Sequence, residues 1–248
     1  MHRRLLPLVL LVTIVTALAL PAWAQRNRNR GWGWGYADPH PYDGTFTLAR
    51  LWYADYGGWA FDWPEMEYNL GQIVEAITAI RPNPEGGNVF RMDDPELLKY
   101  PIAYLSEPGY WYPSESEALG LRAYLAKGGF LIVDDFHYDN EWAVFERAMR
   151  LVLPNAKIER LDTSHPVFNT FFHITSLDIP YPGTTNLIGE FYGIHEDNDR
   201  DKRLAVVINY NMDIGDYMEW SGTGLYVVSP TNDAFKFALN YLIYGLTH

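Results

Sequence analysis

The sequence predicts a three-layer α/β/α domain on a mostly parallel sheet, with a β extension toward its C-terminus. Three observations carry this expectation. Short apolar runs alternate with helical stretches from residue 46 to residue 161, the pattern of right-handed βαβ crossovers. Two of the runs, Pro101–Ser106 and Phe130–Asp134, are almost wholly apolar, as strands covered on both faces must be. Leu187–Ile194 and Leu204–Tyr210 then read as two strands joined by an acidic loop, a pair suited to antiparallel pairing.

Taken in order, Phe46–Tyr53 reads as the first strand. Met66, Leu70, Ile73, Val74, Ile77 and Ile80 recur at helical spacing, so the pattern predicts an amphipathic helix over 65–81, stopped by Pro82 and Pro84. Asn88–Met92 is a short strand and Pro101–Ser106 a central one. Ser114 and Glu117 form a capping box that opens a helix running to Lys127, which Gly128-Gly129 terminate. Phe130–Asp134 follows as a strand that ends on two adjacent carboxylates, Asp134 and Asp135, with His137 just beyond. Asp139 or Asn140 caps the next helix, whose apolar face carries Trp142, Phe145, Ala148, Met149 and Val152, up to Pro154. Lys157–Leu161 is a further strand, and 162–186 is irregular and rich in Pro, Thr and aromatic residues. Pro230 stands at the start of a final apolar helix over 231–245. The strand–helix order is flavodoxin-like, with no internal repeat and a single domain over 45–248.

The N-terminus reads differently. A basic start (His2-Arg3-Arg4), an apolar run from Leu5 to Leu20 and the small-x-small triplet Ala22-Trp23-Ala24 make residues 1–24 a secretory signal peptide, cleaved between Ala24 and Gln25. Residues 25–44 are a Gly/Arg/Trp-rich spacer. No later run is long enough to cross a bilayer, so the expected product is exported, periplasmic or extracellular, without stable membrane insertion. Taking 24 residues from 248 leaves 224, enough for one α/β domain with a full core. The chain has 0 cysteines, which excludes thiol catalysis, disulfides and zinc–thiolate sites. Without Arg3 and Arg4, 17 Lys/Arg face 31 Asp/Glu, a formal charge of −14. Such a surface repels nucleic acid and anionic lipid and favours cations, neutral glycans or basic partners.

Several motifs together resemble the family catalogued as domain of unknown function 4159 (DUF4159), exported bacterial proteins of the class I glutamine amidotransferase-like superfamily. The resemblance rests on Arg50-Leu51-Trp52-Tyr53, on Ala103 through Gly109, on Gly128 through Asp135, on His165-Pro166-Val167-Phe168 and on Asn232 to Leu246. It covers about 45–248. It implies the amidotransferase-like fold and a site at the end of the Gly-Gly strand, where true amidotransferases carry a nucleophilic cysteine. The equivalent positions here lie near Asp135 and Phe136, so glutaminase chemistry does not carry over. The resemblance also implies a role in the cell envelope.

In open α/β sheets ligands bind outside the carboxyl ends of the strands. That edge gathers the candidate residues. Asp134 and Asp135 offer an acid/base or nucleophile, with His165 assisting; the plainer alternative is an Asp that accepts backbone N–H groups at a turn. The two carboxylates, with Glu107 from the neighbouring strand end, could also hold a cation. Alternation along a strand predicts that only one of the pair faces the crevice. Tyr56, Trp59 and Trp63 follow the first strand and Trp111 the third, so their rings would wall the pocket and stack on sugar faces, or instead roof the sheet edge as core. His137 and Glu107 are further binding candidates. No cofactor and no metal centre is expected. The histidines lack the i, i+4 spacing of a helical site, and the Asp197–Asp201 run meets Lys202 and Ile208 where an EF-hand needs Gly and Glu.

The leading reading is a non-catalytic domain that binds an envelope ligand or protein partner, a glycan among the candidates. The alternatives are a hydrolase of glycan or peptide material using Asp135 and His165, and a structural assembly factor.

Overall fold

A computed structural model describes residues 39–54, 58–183 and 186–248. The expected signal segment, most of the expected spacer and Tyr56 lie outside the described residues. Strands β1 (Ala49–Trp52), β2 (Asn88–Arg91), β3 (Ile102–Ser106), β4 (Phe130–Asp134), β5 (Glu159–Arg160), β6 (Glu190–His195) and β7 (Leu204–Tyr210) form one sheet in the order β2-β1-β3-β4-β7-β6-β5. β2, β1, β3, β4 and β7 are mutually parallel, while β6 runs antiparallel to both of its neighbours. The helices are α1 (Glu65–Ile77), α2 (Glu115–Ala126), α3 (Tyr138–Val152), α4 (Ile214–Glu219) and α5 (Val228–Thr247).

Period-2 alternation divides the apolar strands between two cores. Phe130 and Ile132 of β4 join α1, α4 and α5 on one face. Leu131 and Val133 join α2 and α3 on the other. These are the three expected layers, and β6 with β7 supplies the expected antiparallel extension.

The local signals act as read for α2. Ser114 and Glu117 cap each other's backbone amides, and Gly128, at φ 105°, turns the chain out of the helix. Gly129 must be glycine for another reason, since a Cβ there would overlap the Tyr124 ring. Other boundaries move. α1 stops at Ile77 because Thr78 leaves the helical region and its hydroxyl turns back to the Val74 carbonyl at 2.7 Å. α3 starts at Tyr138, ahead of the expected caps Asp139 and Asn140; Glu141 accepts the His137 amide at 2.7 Å instead. The end of the spacer is tied down, with the His40 amide and carbonyl bonded to the Asn88 side chain at 3.0 and 2.9 Å. The short helix α4 is new. Asp213 caps it, accepting the Asp216 amide at 2.7 Å.

Candidate functional site

The carboxyl ends of β1, β4 and β7 bring five aspartates together: Asp62, Asp134, Asp135, Asp213 and Asp216. Each arrives for a local reason. Asp134 is the last residue of β4 and shares the parity of Phe130 and Ile132, so it points into the layer of α1, α4 and α5. There its carboxylate is saturated. Oδ2 accepts from the Tyr104 hydroxyl at 2.6 Å and the Ile214 and Gly215 amides at 2.9 and 3.0 Å; Oδ1 accepts from Asn209 Nδ2 at 2.9 Å. Burial pushes its pKa up to about 6, while these donors pull it down. Asp134 is thus a brace that ties β4 to β3, β7 and the start of α4.

Asp135 follows at φ 63°, in the left-handed region, so strand alternation ends there. Both carboxylates of the pair reach the same cluster, Asp134 as a buried brace and Asp135 beyond the end of the strand. Asp135 is 5% exposed and is approached by the Ser106 and Tyr181 hydroxyls at 3.3 and 3.4 Å. The Asp213 carboxyl lies beside it and the two acids raise each other's cost of ionisation. Burial first, and then the Asp134 charge, push Asp135 up to about 7.

Asp62 lies in the loop after β1, also at positive φ, 63°. Arg50 fixes that loop. Its fully buried guanidinium donates to the Trp59 and Phe61 carbonyls at 3.4 and 3.2 Å, pairs with Glu67 Oε1 at 2.7 Å, and lies 4.5 Å over the Tyr104 ring. Asp62 itself is 7% exposed, and its Oδ2 has no hydrogen-bond partner. That oxygen rests against Gly215 in the first turn of α4, where a Cβ would overlap it. Burial, then Asp135, raise the Asp62 pKa well above the carboxylate range; burial and Asp135 do the same to Asp213. Asp216 is raised by burial and held by the Tyr226 hydroxyl at 2.5 Å. Burial and Asp216 push Glu219, at the end of α4, up to about 7. One oxygen each from Asp62, Asp213 and Asp216 lies within 4.8 Å of the other two, the single such group of potential metal ligands among the described residues.

The remaining candidates are placed as follows. Glu107 follows β3 at φ 50°, half-buried, and its carbonyl accepts the Tyr53 hydroxyl at 2.7 Å. His137 packs 5.0 Å from the Tyr181 ring and lies 3.5 Å from Glu141 Oε2, on the rim beside Asp135. His165 is elsewhere. Its Nε2 meets His195 Nε2 at 3.1 Å, and His195 pairs with Leu204 at the amino end of β7. The length of β7, about 20 Å at ~3.3 Å per residue, separates it from Asp135, so the structure does not assemble an Asp135–His165 pair. His165 is occupied locally: Nδ1 accepts the Val167 amide at 3.2 Å, so Nε2–H donates to His195. Burial and His195 lower its pKa to about 4.

The aromatic walls are corrected as well. Trp111 is 0% exposed and Trp59 4%; both belong to the core beneath α2 and α3, because the turns after β1 and β3 fold back over the sheet edge. Trp63 is half-buried and packs on the same core. Trp59 and Trp111 therefore cannot offer a face to a sugar. Exposed rings near this edge are Phe61, Tyr110, Tyr112 and Tyr138.

Asp62, Asp213 and Asp216 are the members that sequence reasoning missed. Asp213 carried a usable signal, an acid three residues beyond an apolar strand. Once Leu204–Tyr210 is assigned to a peripheral extension, however, its end no longer points at the crevice. β7 in fact lies directly beside β4 and parallel to it.

Among the described residues no helix is long and apolar enough to cross a membrane. No curated protein matches the chain. A family model, the domain of unknown function DUF4159, matches residues 47–246, which include every residue of the acidic cluster. The chain therefore belongs to the DUF4159 family.

Proposed function

We propose that this is a non-catalytic ligand-binding domain of the cell envelope, exported on its N-terminal signal, whose crevice receives a positively charged group. The single observation that carries the reading is the aspartate cluster at the carboxyl edge: five acids converge there, and Arg50, the cation acting on Asp62, is already committed to Glu67. Buried carboxylates without countercharge are costly, and a cationic ligand offsets that cost. The class I glutamine amidotransferase-like superfamily supplies the frame for this proposal. The parallel strands follow the order β2-β1-β3-β4-β7, the doubly wound flavodoxin-like arrangement. Asp135 stands at positive φ between β4 and α3, the kind of sharp strand-to-helix turn on which such folds mount a nucleophile. An acid in that place, in a chain with 0 cysteines, turns a catalytic elbow into a binding one.

The test is thermal unfolding of the purified protein against spermidine, a lysine-rich peptide, divalent cations and a neutral oligosaccharide, alongside Asp135→Asn. A cationic ligand should raise the midpoint of the wild type and fail to raise that of the variant. A rise with the oligosaccharide that survives Asp135→Asn would overturn the reading. N-terminal sequencing of the secreted product should begin at Gln25.

A further inference from the structure

We propose that Asp62, Asp213 and Asp216 hold one hard divalent cation, of the size of calcium, at the carboxyl edge of β1 and β7. The proposal rests on the reading of this crevice as a site for positive charge and names the ion it takes.

The geometry provides the first argument. Three carboxylate oxygens from three separate residues lie within 4.8 Å of one another. Calcium takes several protein carboxylates at about 2.3–2.6 Å in a flexible shell, whereas magnesium keeps most of its waters and takes one or two. An all-oxygen donor set of this kind selects calcium, magnesium or manganese over thiolate- and imidazole-seeking metals.

The second argument is independent of the clustering. Asp62 is more than nine-tenths buried, and its Oδ2 has no hydrogen-bond partner. Its neighbours are satisfied in other ways. Asp134 has a full set of donors, Asp135 receives the Ser106 and Tyr181 hydroxyls, Asp213 receives the Asp216 amide, and Asp216 receives Tyr226. A proton on Asp62 Oδ2 would remove the charge but leave a buried hydroxyl with nothing to donate to. A cation satisfies that oxygen and compensates all three acids together.

The surroundings are built to keep the oxygen where it is. Arg50 pins the loop immediately ahead of it through the Trp59 and Phe61 carbonyls. Gly215 leaves the space that Asp62 Oδ2 occupies; a side chain there would overlap that oxygen and come within 2.8 Å of the Tyr104 hydroxyl. Asp216 is only half-buried, so the ion enters from its side and keeps water on the open part of its shell.

The experiment is calorimetric titration of chelator-treated protein with calcium, magnesium and manganese chlorides, and with spermidine as an organic cation. Terbium luminescence, sensitised by the adjacent tyrosines, provides a second readout. The expected result is one calcium ion per chain, with affinity at least about tenfold lower in Asp62→Asn and in Asp216→Asn and unchanged in Asp201→Asn, a surface acid. Asp216→Asn keeps the test decisive if Asp62→Asn misfolds. Wild-type protein that binds none of the three metals, or variants that bind calcium as tightly as the wild type, would overturn the proposal. Spermidine binding that depends on Asp62, without metal binding, would overturn it and leave the cationic crevice standing. Failure of every cation would remove both.

Discussion

Replacing Asp134 by alanine leaves four buried donors facing a void: the Tyr104 hydroxyl, the Asn209 amide and the backbone N–H groups of Ile214 and Gly215. A buried donor deprived of its acceptor costs about 1–3 kcal/mol, so the four together cost at least ~4 kcal/mol. Relief of the repulsion that Asp134 exerts on Asp135 returns part of this. The net loss is still a large share of the ~5–15 kcal/mol that holds a domain folded. Asp134→Asn should behave differently. Its carbonyl oxygen can face Tyr104, Ile214 and Gly215, and its new amide then meets Asn209. Asn209 can turn its own amide over, since the Tyr241 hydroxyl that now donates to its oxygen at 2.8 Å can accept instead. One hydroxyl proton is left without an acceptor, a cost of about 1–2 kcal/mol. Equilibrium unfolding in urea, with unchanged m-values, measures both variants. A loss below about 1 kcal/mol for Asp134→Ala, or equal losses for the two variants, would refute the assignment of Asp134 as the brace of this edge.

Three further outcomes follow from the same contacts. Arg50→Met abandons the buried Glu67 carboxylate and should cost about 3–5 kcal/mol, most of which Arg50→Met with Glu67→Leu should recover in denaturant unfolding. His165 has a folded pKa near 4, below the ordinary value of 6.5, so its contribution to stability is complete above pH 6.5 and is lost as pH falls toward 4. The shift corresponds to about 3 kcal/mol, and the stability difference between wild type and His165→Asn should change in the wild type's disfavour across that window. Gly120→Ala, a change that raises helix propensity, should instead destabilise by about 1–3 kcal/mol, because the new Cβ meets the Met92 carbonyl; a thermal midpoint at or above that of the wild type would contradict this packing.

The layer order was legible because local signals and global fold agree at α2 and β4. The capping box, the glycine pair and the apolar run each act within a few residues of where they are read. The acidic edge was half legible. Asp134 and Asp135 sit at a strand end that the chain itself announces, but Asp62 reaches the cluster only through Arg50, whose hold on the Trp59 and Phe61 carbonyls is a tertiary contact with no sequence signature. The tryptophans mislead for a related reason. A ring in a loop is equally suited to solvent and to a roof over the sheet, and only the path of the turn, here folding back over the sheet edge beneath α2 and α3, decides between them. His165 mislocates because β6 runs against the rest of the sheet, which carries His195 and its partner to the amino edge.

The two ends of the sheet bear on how the protein meets others. β5 is only two residues long, and its Arg160 is engaged with Glu190 at 3.3 Å, so that margin exposes about 7 Å of unpaired ladder. At the opposite margin the backbone of His40 is stapled to Asn88 in β2. Strand addition and zipper-type stacking need runs of about six residues. Both margins are thus blunted against fibrillar growth and against strand addition by a partner.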